Sequence, residues 1–458
     1  MTESAAPATR AFNKRVWALA LPIMATNVTV PLLGLVDTAV VGRLPGAEYM
    51  GAVAIGAVIM NVIYSSLNFL RMGTTGLTAQ SFGAGDGDQL RSWLARACLL
   101  STALGLGLIA LQVPILGISH WLMGPSEAVW PLTESYFQIR IWGAPAALLN
   151  FALLGWFFGV QNMRAALISQ VFLNGMNIVL DIWFVLGLGW GVDGVAWATI
   201  ISEYSAVALG FCLAAAQLRK FGGRWRWDRI RDTSRIRRML GVNRDIFLRS
   251  MCLQAAFVIF TTAGTRMGDE VLAANAILLQ FTMFASYALD GFANAAEAMT
   301  GQAVGAHDRT LFRQAVKVTT AWGALFAVAF AAAYWGFGTI IVDTLTTVPA
   351  VRETAYAYLP WMVALPVVSV WSFQLDGIFI GATWTREMRN GMAISLAVFA
   401  AAVPLITGTW GNHGLWAAFT LFMGLRGVTM GLVFPRLARG VAAGPRPGVA
   451  DAPPHGGS

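Results

Sequence analysis

The sequence predicts an all-α integral membrane protein, with twelve transmembrane helices in two six-helix lobes related by a pseudo-two-fold axis along the membrane normal. Three observations carry this. The 458 residues are 57% hydrophobic and only 12% charged, too little polar surface for a soluble chain of this length. Apolar runs of about 20 residues recur, each able to cross a hydrocarbon core of roughly 30 Å at 1.5 Å per residue. Segments of the first half also reappear in the second at a fixed spacing. Alternating ten-residue strands of the outer-membrane barrel type do not occur.

Gly, Pro and charge clusters delimit the spans at 16–40, 50–77, 94–117, 134–160, 165–188, 194–217, 244–266, 271–302, 314–342, 354–382, 390–408 and 413–434. The first run is too long for a signal-peptide core and lacks a small-residue cleavage site, which makes it a retained helix. In the repeat, "LTAQSFGAGD" (77–86) matches "MTGQAVGAHD" (299–308), and "GWFFGVQNMR" (155–164) matches "GIFIGATWTR" (377–386), both at an offset of 222. An even number of spans per half makes the repeat parallel, an arrangement suited to alternating access. The expected organisation is an amino-terminal lobe 1–218, a basic cytoplasmic linker 219–243, a carboxy-terminal lobe 244–436 and a disordered Gly, Pro and Ala-rich tail 437–458.

The net charge of +8 is concentrated in "RKFGGRWRWDRIRDTSRIRRMLGVNR" (219–244), where ten Arg and Lys face two Asp. With both termini cytoplasmic, other basic groups (Arg10, Lys14, Arg15, Arg91, Arg96, Arg164, Arg309, Arg313, Lys317, Arg386, Arg389, Arg436 and Arg439) also fall on the cytoplasmic side. Loops such as "GLGWGVDG" on the other side carry almost none, which is the positive-inside pattern of a multi-pass protein of a bacterial cytoplasmic (inner) membrane. Anionic headgroups are sufficient neighbours for the basic loop, so no nucleic acid is implied. Cys98, Cys212 and Cys252 lie in or beside predicted spans without metal spacing and read as packing residues. His120, His307, His413 and His455 are scattered, and no HExxH or GxSxG pattern is present, so an intramembrane enzyme is not expected. No cofactor is implied, and the expected partners are the lipid bilayer and a small organic substrate, with the chain acting as a monomer.

An ionisable side chain inside a bilayer costs about 2.5 to 3.5 kcal/mol on insertion scales, so each one is a functional candidate. Asp37 lies about 22 residues, or roughly 33 Å, from the inner start of its helix, in the outer half. Asp181 falls near the midplane of the fifth span, and Thr199 follows soon after the sixth span enters from outside. Asn177 precedes Asp181 by four residues and shares its helical face. Asp37, Asn177, Asp181 and Thr199 together offer hard oxygen ligands for a proton or for Na⁺. The alternative is local hydrogen bonding by Asp181 near the Gly-rich turn, with Asp37 at a wet helix end. Pro22 and Pro31 on the Asp37 helix each remove a backbone hydrogen bond and allow a bend.

A second charged set, Arg71, Asp290, Glu297 and Asp376, lies nearer the cytoplasm. Asp290 and Glu297 are seven apart and share a face. Either Arg71 pairs with one of these acids and helps seal the inner mouth, or the charges form structural pairs within one lobe. Asn27, Asn61, Asn68, Asn150, Gln170 and Gln254 read mainly as interhelical hydrogen-bonding groups. Trp121, Trp130 and Trp142 read first as an interfacial belt, while aromatic faces elsewhere could attract an organic cation.

"LALPIMATNVTVPLLGLVDTAVVGRL" (19–44), "LRMGTTGLTAQSFGAGD" (70–86), "YALDGFANAAEAMTGQAVGAHD" (287–308) and "LDGIFIGATWTREMRN" (375–390) resemble multidrug and toxic compound extrusion (MATE) transporters of the DinF branch. The resemblance runs from about residue 14 to 436. It implies export of organic, often cationic, compounds in exchange for H⁺ or Na⁺. It also makes Asp37 the first-helix aspartate of the amino-terminal lobe, Asn177, Asp181 and Thr199 its cation partners, and Pro22 the bending proline. The seventh span, "RDIFLRSMCLQAAFVIFTTAG", lacks the mid-membrane acid of the NorM branch, which argues against a carboxy-lobe Na⁺ site of that type. The rival reading is a lipid or lipid-linked oligosaccharide flippase, whose polyanionic cargo calls for cationic rather than acidic lining.

Overall fold

The computed structural model describes residues 5–44 and 46–441, with side chains from Arg10 onward except at 28–33 and 35. Its regular elements are all helices: α1 (Ala5–Val41), α2 (Ala47–Gly83), α3 (Gly87–Ala110), α4 (Trp130–Gly159), α5 (Met163–Gly187), α6 (Gly191–Leu218), α7 (Thr233–Thr265), α8 (Asp269–Gly305), α9 (Arg309–Leu345) and α10 (Pro349–Gly381), with shorter helices at Gln112–Met123 and Trp227–Ile230 between them. Two further helices, α11 (385–410) and α12 (412–440), meet at Gly411, whose backbone (φ 56°, ψ −135°) is not helical. Ten helical stretches are long and apolar enough to cross a membrane. The last of them is the α11–α12 pair, so with α1 the spans number twelve. Trp335, Leu405 and Leu432 stand 78%, 74% and 76% exposed, a costly arrangement in water but the relaxed one against lipid tails.

Two boundaries differ from the hydropathy pattern. Residues 233–243, basic in sequence, are already the first three turns of α7, because Arg is a good helix former and needs no apolar partner at a wet end. The carboxy-terminal segment begins as helix up to Gly440, and residues 442–458 lie outside the described ones.

The 222-residue repeat holds down to single hydrogen bonds. Asp86 caps α3 by accepting from Gln89 N–H (3.0 Å), and Asp308 caps α9 by accepting from Leu311 N–H (2.9 Å). The preceding turns use left-handed Gly85 (φ 67°) and His307 (φ 53°). Asn162 N–H donates to Phe157 O and Trp384 N–H to Phe379 O, both at 2.9 Å, around left-handed Gln161 and Thr383. A Cβ on Gly155 would come within 2.3 Å of Arg71 O, and one on Gly377 within 2.1 Å of Ala293 O. These glycines let α4 close on α2 and α10 on α8, the small-residue packing that holds helices together in lipid.

The chain divides into two compact units, one of residues 22–82 and 86–232, the other of residues 1–21, 83–85 and 233–458. In the first, α3 packs on α4, α4 on α6 and α5 on α6. The linker is tied to α3 there. Arg91 donates to the carbonyls of Leu218 (2.8 Å) and Gly222 (2.7 Å), and Arg96 Nε donates to Ile230 O (3.1 Å). In the second, α8, α9 and α10 pack together around an aromatic core that includes Phe260, Phe281, Phe399, Trp416 and Phe419. Asn275 and Asn412 exchange amide hydrogen bonds (2.8 and 2.9 Å) beside the Gly411 break. The start of α1 belongs to this unit: Trp17 packs edge-on against Phe292 and Trp322, and Trp322 Nε1 donates to Asn13 Oδ1.

Candidate cation-coupling site

Three helices of the first unit bring Asp37, Asn177, Asp181 and Thr199 together. Asn177 and Asp181 lie one turn apart on α5, and both are buried. With its nitrogen turned to Asp181, the Asn177 amide donates to Oδ2 at 3.3 Å, and its oxygen faces Thr199 Oγ1 at 3.2 Å. The opposite orientation would set an acceptor against a carboxylate. Asp37 meets Asp181 carboxyl to carboxyl. Such a hydrogen bond requires a proton on one of the two groups. Oδ1 of each acid is buried and meets no donor among the described residues, which leaves two hard oxygens able to take a proton or a small cation. Among the described residues no three His, Cys, Asp or Glu side chains gather as a metal cluster, so the donor set is two acids, an amide and a hydroxyl.

The backbone beside the site is irregular. Directly after Asp181, residues Ile182–Gly187 wind as a π-helix, and Leu188 N–H reaches back to Trp183 O (2.9 Å). This widened turn is a frequent mark of functional positions, and it feeds the Gly189–Gly191 turn into α6. Tyr136, on α4, completes the wall. Its ring fits only because Gly56 has no side chain, since a Cβ there would lie 2.3 Å from the ring.

The sequence reading missed the strongest polar contact in this region. Arg140 on α4 and Glu203 on α6 form a buried bidentate pair, Nη1 to Oε2 at 2.9 Å and Nη2 to Oε1 at 2.6 Å. Tyr64 adds its hydroxyl at 3.4 Å and its ring face at 5.4 Å from the guanidinium. The signal was available, because both charges fall inside predicted spans. Applying to Arg140 and Glu203 the rule applied to Asp37 would have found them.

The inner charged set is shared between the units. Arg71, on α2, donates to Asn68 Oδ1 (3.4 Å) and stacks on Phe158 (5.4 Å) within the first unit. In the second unit Asp376 accepts from Arg249 on α7 and from Arg426 on α12 (2.7 Å for the latter), and Asp290 acts electrostatically on Arg426. Neither arginine was singled out from the sequence. Glu297 is buried on α8, its carbonyl 2.2 Å from where a Cβ on Gly381 would stand. At Pro22 the helix stays continuous, Thr26 donates to the Pro22 carbonyl (2.8 Å), and the division between the units falls at residues 21 and 22.

Comparison with known proteins bears on the family and the fold. The MatE family profile matches residues 22–183 and 246–406. DNA damage-inducible protein F of Escherichia coli (strain K12) is 43% identical over 425 residues, covering 93% of this chain and 92% of that protein. The probable multidrug resistance protein NorM of Acinetobacter baylyi is 23% identical over 433 residues, 92% of each. A solved multidrug resistance MATE family transporter of the MOP superfamily, in an outward-facing conformation, superposes with a TM-score of 0.82 at 20% identity. The superposition covers 94% of this chain and 96% of that one, and it speaks to the fold.

Proposed function

The chain belongs to the MatE family, and we propose that it is a secondary active antiporter that exports organic, cationic or amphipathic compounds in exchange for H⁺ or Na⁺ by alternating access. In this reading it works as a monomer in a bacterial cytoplasmic membrane, with both termini cytoplasmic. One observation supports it above the others: Asp37 and Asp181 face each other inside a membrane-spanning lobe, with one buried oxygen of each lacking a donor. Two acids so placed are costly when both are charged, and one entering cation relieves most of that cost.

While the site is open to the outside, a proton or Na⁺ enters between the acids. The Asn177 amide and the Thr199 hydroxyl supply neutral dipoles that complete the oxygen set. Filling the site lowers its negative charge by one, favours bending of α1 near Pro22 and weakens the hold on a cationic substrate. The return step carries the cation inside. One elementary charge crossing 100 mV is worth about 2.3 kcal/mol, roughly a fifty-fold gradient for a neutral substrate. A monovalent cationic substrate exchanged for one H⁺ or Na⁺ moves no net charge and draws on the ion gradient alone.

The test is dye efflux from proteoliposomes under separately imposed pH and Na⁺ gradients. Wild-type protein should respond to one of them, and Asp37→Asn should fall to the level of protein-free vesicles. Efflux by Asp37→Asn that follows the gradient as in wild type sinks the proposal.

A further inference from the structure

We propose that Arg140 and Glu203 are a positioning pair that sets how tightly the carboxyl site holds its coupling cation. This rests on Asp37 and Asp181 being that site. Arg140 follows Tyr136 by four residues on α4, and Glu203 follows Thr199 by four on α6. Each charge is therefore one turn, about 6 Å, along the helix from a wall of the site. The Arg140 charge reaches Asp37, while Glu203, Asp37 and Asp181 all act on Tyr136. The groups converging here are Asp37 from α1, Tyr64 from α2, Tyr136 and Arg140 from α4, Asn177 and Asp181 from α5, and Thr199 and Glu203 from α6.

The pair is built in, not incidental. It lies against Gly143, in the three-residue 3₁₀ turn that interrupts α4, where a Cβ would stand 2.5 Å from Glu203 Oε2 and 2.6 Å from Arg140 Nη1. Asn150 Nδ2 holds the Glu203 carbonyl at 3.1 Å. Packing alone does not call for unlike charges in hydrocarbon, since apolar side chains of the same volume fill such a space at equal or better stability. What a charge pair adds is a field. Arg140 repels a cation arriving at Asp37 and Glu203 attracts it, so their balance fixes an intermediate affinity that allows both uptake and release.

The experiment measures binding on purified protein. The concentration of Na⁺, or in a separate series of H⁺, that half-changes carbodiimide labelling of Asp37 is determined for wild type, with Asp37→Asn as the blank. Arg140→Gln should tighten the cation and Glu203→Gln should weaken it, each on the order of tenfold, as for a unit charge several ångströms away at an effective dielectric near 20. The double variant should return to within about threefold of wild type, and Arg140→Lys should stay there. The double variant and Arg140→Lys also keep the test alive if a single variant fails to fold. Single variants that shift affinity in the same direction, or a double variant that does not restore it, overturn the proposal. The readout does not involve transport, so loss of the antiporter reading, with wild-type efflux indifferent to both gradients, is a separate result.

Discussion

The two lobes share a backbone and differ in the charges buried within their spans. At the 222-residue offset, Asp37, Asn177, Asp181 and Thr199 correspond to Ile259, Phe399, Val403 and Leu421, and Phe399 and Val403 belong to the apolar core of the second lobe. Conversely, Arg249, Asp376 and Arg426 correspond to Asn27, Leu154 and Tyr204. The first lobe sets two acids against neutral oxygens, an arrangement short of one positive charge. The second sets one acid between two guanidiniums, with the positive charge supplied by its own chain. Duplication has kept what holds helices together and left the chemistry free to diverge.

The largest expected effect follows from that contrast. Asp376→Asn leaves Arg249 and Arg426 buried without their carboxylate and should destabilise the protein by about 3–5 kcal/mol. Asp37→Asn should change stability by less than about 1 kcal/mol while removing coupling. Unfolding midpoints in detergent, read beside efflux, compare the two, and a stable Asp376→Asn protein would erase the distinction between them. A smaller effect tests the shared backbone. Gly155→Ala and Gly377→Ala each drive a methyl into a carbonyl of the facing helix and should cost about 1–3 kcal/mol apiece. Clearly unequal midpoints for the two would break the equivalence of the lobes. The smallest effect belongs to the linker. The Arg226 guanidinium, hydrogen-bonded to Asp228, holds that carboxyl below the usual carboxylate range. Any stabilisation from this pair is present at neutral pH and lost as pH falls through the lowered value. Both side chains are solvent-exposed, so Arg226→Gln should leave the midpoint unchanged at pH 7.

Much of the site was legible because a carboxylate inside a 20-residue apolar run stands out against its surroundings. Asp37 and Asp181 stand out this way, and the four-residue step from Asn177 to Asp181 puts both on one face. Arg140, Glu203, Arg249 and Arg426 carry the same signal, since each lies inside a predicted span. For Arg71, counting gives a depth that matches Asp290 and Asp376 but does not give the neighbours, among them Asn68 and Phe158, that its side chain meets. Depth along a helix follows from counting, whereas direction around the helix depends on packing against neighbours.

The sequence by itself determined the helical class, the twelve spans and the parallel duplication, because lipid forces each segment to satisfy its own backbone and leaves hydropathy and spacing as a nearly complete record. The tertiary structure alone decided which charges pair, the π-helical turn after Asp181 and the notch at Gly143. Those depend on side chains from helices far apart in sequence coming within about 3 Å of one another, and no one-dimensional period encodes that approach.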